Sequence, residues 1–277
     1  MKRIVCSILF TVLCFAFAKT YAQDINVYSD SLKKYFSLMA QERDDDKKEK
    51  LNNKIVKYFQ KALDQDDSFD FDFSSLKYVG DVRSEDNKLR AITWNLPYYD
   101  GTHQYFGFIQ YKKNRWKTLT YKLNDKSEQI NNPEYDILSH NNWYGALYYK
   151  IIVNKHRHDE YYTLLGSDLN DLFSKKKLIE IVQFDSNDQP VFGAFKFKNR
   201  EKNVARVIFE YSAQANMGLT YDEKKEMIVY DHLSPFRPSL KGKYQFYGPD
   251  FSYDGLKFED GIWNTYYDID VRNYNID

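Results

Sequence analysis

This chain of 277 residues has only two cysteines, Cys6 and Cys14, and both lie within its first 22 residues. That stretch reads as a cleavable export signal. Lys2 and Arg3 form a basic start, Ile4 to Ala18 make an apolar core too short to span a bilayer comfortably, and Thr20-Tyr21-Ala22 ends in the small residue that signal peptidase requires. Cleavage between Ala22 and Gln23 leaves a chain without thiols, which excludes disulfides, cysteine–zinc sites and cysteine nucleophiles together. Lipidation of Cys14 is disfavoured, because Val12 and Leu13 precede it where lipoprotein processing needs a small residue. The expected destination is the periplasm, the outer-membrane surface or the medium.

Apolar runs, net charge and signature motifs are scarce as well. No later stretch approaches the roughly 18 apolar residues of a membrane helix, so no transmembrane segment is expected in the mature chain. Basic and acidic residues number 40 each; the leader removes Lys2, Arg3 and Lys19 but no acid, leaving 37 against 40. That balance argues against nucleic acid as a partner, since phosphate binding needs a concentrated basic surface. A G-x-S-x-G elbow, an H-E-x-x-H helix, a P-loop and a glycine-rich dinucleotide turn are all missing. Nucleotide-dependent and zinc-protease chemistries are thereby set aside, and no cofactor is expected.

What the chain has in abundance is aromatic side chains, 25 tyrosines and 20 phenylalanines among them. Such residues favour strands and fill cores, and excess tyrosine also serves sugar- and protein-binding surfaces. A mature chain of about 255 residues buries roughly 70% or more of its unfolded surface and needs no staples.

Residues 23–75 read as a helical segment with a linker. Leu32, Tyr35, Phe36 and Met39 recur at three-and-four spacing after Asp30-Ser31, and a charged link from Glu42 to Lys50 leads into Leu51, Ile55, Tyr58, Phe59, Ala62 and Leu63. The spacing predicts two amphipathic helices, or one broken near Asp44. Asp64 to Asp72, with Phe69, Phe71 and Phe73, reads as an acidic linker becoming a strand. Residues 76–277 read as an antiparallel β domain of about a dozen strands: short alternating runs divided by turn residues, as in Leu89–Trp94 and Tyr105–Gln110 around Asp100-Gly101. The expected fold is mainly β, an antiparallel meander forming a two-sheet stack or partly closed barrel. A β-propeller is the alternative, because Ser84-Glu85-Asp86-Asn87-Lys88 resembles the Ser-Pro-Asp-Gly-Lys phrase of periplasmic propellers, although it occurs once.

Four further strings carry a resemblance: Asp86 to Asn95, Tyr105-Phe106-Gly107, Pro190-Val191-Phe192-Gly193, and Tyr230-Asp231-His232-Leu233-Ser234-Pro235 followed by Tyr247-Gly248-Pro249-Asp250. Over nearly the whole mature length the chain resembles a family of uncharacterised exported proteins of anaerobic gram-negative bacteria. That family has no assigned activity, so the resemblance implies export and a shared fold and no site residues.

Three sets of candidate site residues follow from the chemistry. Asp231 and His232 precede proline-marked turns and then Asp250 and Asp254; a histidine that titrates near neutrality beside carboxylates suits acid–base work, though neighbours on a strand face opposite ways. His156 and His158 on one strand face would lie about 6 to 7 Å apart and could serve a zinc or copper ion, against a solvated hairpin tip as the plainer reading. Trp94, Tyr98, Tyr99, Trp263, Tyr266 and Tyr267 could form an aromatic binding face, with one tyrosine of each adjacent pair inward and one outward. The aspartate-rich loops at 166–171 and 185–188 read as Asx turns rather than calcium loops.

The leading expectation is an exported, non-catalytic binding or envelope-associated module for glycan or protein. The rivals are a hydrolase built on carboxylates and His232, and a structural envelope component docking through an exposed Leu51, Ile55 and Phe59 stripe.

Overall fold

The computed structural model describes residues 25–199 and 202–271; the export signal, Cys6, Cys14 and the Ala22–Gln23 junction lie outside the described residues. The three-and-four spacing produces two helices, α1 (Ile25–Gln41) and α2 (Asp45–Leu63). They part at Asp44, which takes an extended conformation and whose carboxylate accepts the Lys47 amide at 2.9 Å. Such an N-cap stabilises a helix by about 1 kcal/mol. Most of the charged link is therefore the opening of α2, with Asp45 and Asp46 against the positive end of its dipole. The Ile55 and Phe59 stripe is fully buried, so it does not await a partner.

The strands that follow fall into three sheets. β1 (Gly80–Arg83), β2 (Leu89–Pro97), β3 (His103–Asn114) and β4 (Lys117–Asn124) form an antiparallel meander. The second sheet contains β5 (Leu138–Ser139), β6 (Leu147–His156), β7 (Asp159–Asp168), β8 (Ser174–Phe184) and β9 (Pro190–Phe192), with β12 (Arg206–Ser212) also paired to β8. The third runs in the order β11 (Lys202–Val204), β10 (Phe197–Asn199), β16 (Ile262–Tyr266), β15 (Tyr247–Glu259), β14 (Met227–Pro235), β13 (Leu219–Asp222). Among the described strands every pairing is antiparallel except β10 with β16, and an isolated parallel bridge joins Asp125 to Trp143. The mainly β body with an N-terminal helical pair is what the alternation implied. It is spread over three sheets of four, six and six strands, none closed into a barrel and without the equal blades of a propeller.

Side-chain alternation explains the stacking. Along β2, Ile92, Trp94 and Leu96 join α1 and α2 in one core, while Leu89 and Ala91 join Leu164, Leu178 and Val182 of the second sheet in another. Along β7 and β8, Leu165, Ile179 and Ile181 turn the other way, into a third core with Ile228, Leu256 and Trp263. Helices and sheets thus stack in four layers, and the two middle sheets are covered on both faces. Of the adjacent tyrosines there, Tyr148 is buried and Tyr149 exposed, as alternation implies, whereas Tyr161 and Tyr162 are both buried.

Burial on both faces requires every polar group to find a partner. The Phe69–Phe73 stretch is turn and irregular chain rather than strand. Its carbonyls are taken up by arginine: Arg90 donates to Ser68 at 2.7 Å, to Phe69 at 3.0 Å and to Phe71 at 2.8 Å, and its Nε bonds Asp81 at 2.7 Å. Between the first and second sheets, Arg206 Nε donates to Glu180 at 2.7 Å, Tyr148 donates its hydroxyl to the same carboxylate, and Trp143 donates to Tyr148 at 2.7 Å. Neither Arg206 nor Glu180 reaches solvent.

Candidate functional site

The third sheet contains one marked irregularity, and it builds the site. β14 and β15 pair regularly up to Asp231 opposite Tyr253, and then the register jumps to Leu233 opposite Pro249. His232 alone therefore opposes Asp250, Phe251 and Ser252. Asp250 closes that excess into a turn by accepting the Ser252 hydroxyl at 2.8 Å and its amide at 3.2 Å, while Phe251 takes a left-handed φ of 72°. Bulges of this kind re-aim side chains out of the strand's alternation.

The consequence is a histidine held between two carboxylates. His232 Nδ1 lies 2.7 Å from Asp254 Oδ2, and Nε2 lies 4.0 Å from Asp250 Oδ2. Asp254 is buried, and its second oxygen accepts the Asp268 amide at 3.0 Å. A carboxylate accepts, so in the neutral ring Nδ1 carries the proton and Nε2 is left with its lone pair. Burial acts to raise the Asp250 pKa, but the Ser252 hydroxyl and amide, helped by His232, outweigh it and hold the group below its ordinary value. Asp231 does not join the group; its carboxylate accepts the Gly218 amide at 2.7 Å.

This cluster borders a cleft of about 390 Å³ where β12 and the third sheet part. Phe209, Tyr230 and Tyr267 supply rings to it, and Asp254, His232 and Glu134 supply polar groups. Burial pushes the Glu134 pKa up, against the Ile208 amide that bonds its carboxylate. The Tyr230 hydroxyl is likewise raised, first by burial and then by the nearby Asp254 charge. Neither Glu134 nor Phe209 carries a local sequence signal. They arrive through tertiary structure, the Glu134 carbonyl accepting the Ala205 amide at 2.8 Å just ahead of β12.

The aromatic candidates do not form one face. Trp94 points into the helix-covered core, stacked on Phe59 at 4.9 Å with its Nε1 donating to Asn52 at 2.8 Å. Trp263 is buried between the second and third sheets, donating to Thr163 at 3.0 Å. Neither can touch a ligand from solvent, because the covered faces of their strands take both indoles. Tyr98 is half-buried, bonded to Gln104 at 2.9 Å and Glu49 at 3.1 Å, and its hydroxyl is pushed up to about 12, chiefly by burial and then by Glu49. Tyr99 is exposed on the β2–β3 turn, and Tyr266 bonds Glu259 at 2.7 Å. Tyr267 alone of the set lines the cleft beside His232.

His156 and His158 do not share a strand face. β6 ends at His156, and the chain reverses at 157–158 with Arg157 at a φ of 56°. Among the described residues no group of three or more His, Cys, Asp or Glu side chains is placed to hold a metal ion. The aspartate loops follow Asx chemistry: Asp185 accepts the Asn187 and Gln189 amides, both at 2.8 Å, and Asp168 accepts the Asn170 amide at 2.7 Å. Comparison with known protein families, curated proteins and solved structures finds no match to this chain.

Proposed function

We propose that this is an exported binding protein whose ligand is a hydroxyl-rich molecule, a glycan segment, seated in the cleft beside His232. The observation that carries this reading is the meeting of aromatic rings and carboxylates in one concavity, lined by Tyr267 and Phe209 together with Asp254 and His232. Sugars offer hydroxyls that carboxylates accept and C–H faces that stack on rings, and small-ligand sites combine apolar walls with a few convergent polar groups in this way. The leader-like N-terminus and the resemblance to exported proteins support the compartment.

A glycan-binding screen of the mature chain, followed by titration calorimetry on each hit, tests the reading. Tyr267→Ala and His232→Ala are each expected to weaken the best hit by about tenfold or more, the loss of a stacked ring or charge-assisted hydrogen bond. Hits that bind both variants as tightly as the parent, or a screen without hits, would sink it.

A second reading, a hydrolase, draws on the 2.7 Å Asp254–His232 contact. A carboxylate-oriented imidazole with a free Nε2 can take a proton from water, and Glu134, whose pKa burial raises, is the candidate to give one to a leaving group. Hydrolysis of a bound hit that disappears in Asp254→Asn would favour this reading over binding alone.

A further inference from the structure

A different groove lies at the other end of the molecule, where α1 faces the segment that leads from the helices into β1. Lys33, Ser37 and Gln41 fall on one face of α1 at four-residue spacing, and Ser75, Lys77 and Tyr78 stand across from them around a space of about 390 Å³. The ring of Phe36, which is buried in the helical core, reaches the groove as well.

Its charge sets it apart. The clefts around His232, beside Lys176, beside Tyr98 and beside Asn124 each include at least one Asp or Glu, whereas this groove has two lysines and no carboxylate. In a chain with as many acids as bases, that is local selection of sign. The two ammonium groups are also free to serve a ligand. Lys33 has only Asp30 near it, at 3.9 Å with both side chains well exposed, a pair of little energetic consequence. Lys77 has no ion-pair partner among the described residues. Ser37 accepts the Gln41 amide at 3.3 Å, which leaves its own proton to donate.

Tyr78 adds a second feature. It holds a left-handed φ of 69°, and its ring is 63% exposed beside the groove. A bulky residue in that conformation costs about 1–3 kcal/mol, and such strain concentrates at ligand clamps. Two cations, donor hydroxyls and a standing aromatic wall together match an oxyanion attached to a flat or apolar body.

We propose that this groove binds an oxyanion, a carboxylate or phosphate monoester, carried on a ring that packs against Tyr78, with Lys33 and Lys77 on the charge. The inference is independent of the glycan reading, since the two grooves share no residue.

Amide-resolved NMR titration of the mature chain with phenyl phosphate, benzoate and neutral phenol tests it. Expected is saturable binding of phenyl phosphate or benzoate, with shifts confined to α1 and residues 75–78, and none with phenol. Binding of only one of the two names the oxyanion. The Lys33→Gln/Lys77→Gln double variant should weaken binding at least tenfold, while Lys33→Arg/Lys77→Arg should retain it; amide spectra report that both variants fold. Absence of saturation by either anion, equal shifts with phenol, or unchanged affinity in the double glutamine variant would overturn the proposal.

Discussion

Glu180 and Asp254 occupy comparable places, each an acid on a strand facing across a sheet junction, yet their surroundings differ. Between the first and second sheets Glu180 is sealed with Arg206, Tyr148 and Trp143, none of them open to solvent. Between the second and third sheets the strands part beside β12, and Asp254 is bonded to a histidine whose side chain is 44% exposed. Where the junction closes, charge serves to specify the packing. Where it opens, the same chemistry is presented to solvent with a spare lone pair.

The largest expected effect lies in the closed junction. Arg206→Met strands Glu180 without its cation, and a urea midpoint should report a loss of about 3–5 kcal/mol. A loss below about 1 kcal/mol would mean that the pair does not hold β12 to β8. The double variant Arg206→Met/Glu180→Leu should recover most of that loss, because an apolar replacement removes both desolvation penalties.

The indoles sharpen the same contrast. Trp263→Ala, inside the third core, should cost about 3–5 kcal/mol, whereas Tyr267→Ala, a few residues on and half exposed, should stay within about 0.5 kcal/mol. Equal losses would contradict the placement of the cleft. His232→Ala should likewise cost no more than about 1 kcal/mol, as for a single partly exposed hydrogen bond.

The smallest effect is one of pH. Asp168 accepts the Tyr105 hydroxyl at 2.7 Å, across the closed junction, and burial raises its pKa although Lys176, 3.8 Å away, opposes the shift. The folded state therefore holds this proton more tightly than the unfolded chain. Its stabilising contribution is complete below the ordinary carboxylate pKa and is lost as pH rises through the elevated folded value. Asp168→Asn should flatten that part of the stability–pH profile, and an unaltered slope would place the titration elsewhere.

Period and turn chemistry made much of the architecture legible. The spacing of Leu32, Phe36, Ile55 and Phe59 marked the helices, and Asp100-Gly101 marked the β2–β3 turn. The layering was hidden, because alternation tells which side chains share a face and not what covers that face. Tyr161 and Tyr162 look like an inward and an outward residue until the third sheet is laid over β7. The site was legible in part. His232, Asp250 and Asp254 lie within 22 positions along one hairpin, but Glu134 and Phe209 reach them only through tertiary packing. Trp94 and Trp263 were misleading as ligand-facing residues, since large indoles mark cores as readily as surfaces.

The parallel pairing of β10 with β16 sets an order of events. β10 and β11 are hydrogen-bonded to the rest of their sheet solely along β16, through Phe197 with Trp263 and Lys198 with Asn264. A nascent chain thus carries that small hairpin without its sheet until the residues around 263 emerge, more than sixty positions later. Completion of the third layer waits for β16 to be made, and contacts spanning such a distance form slowly.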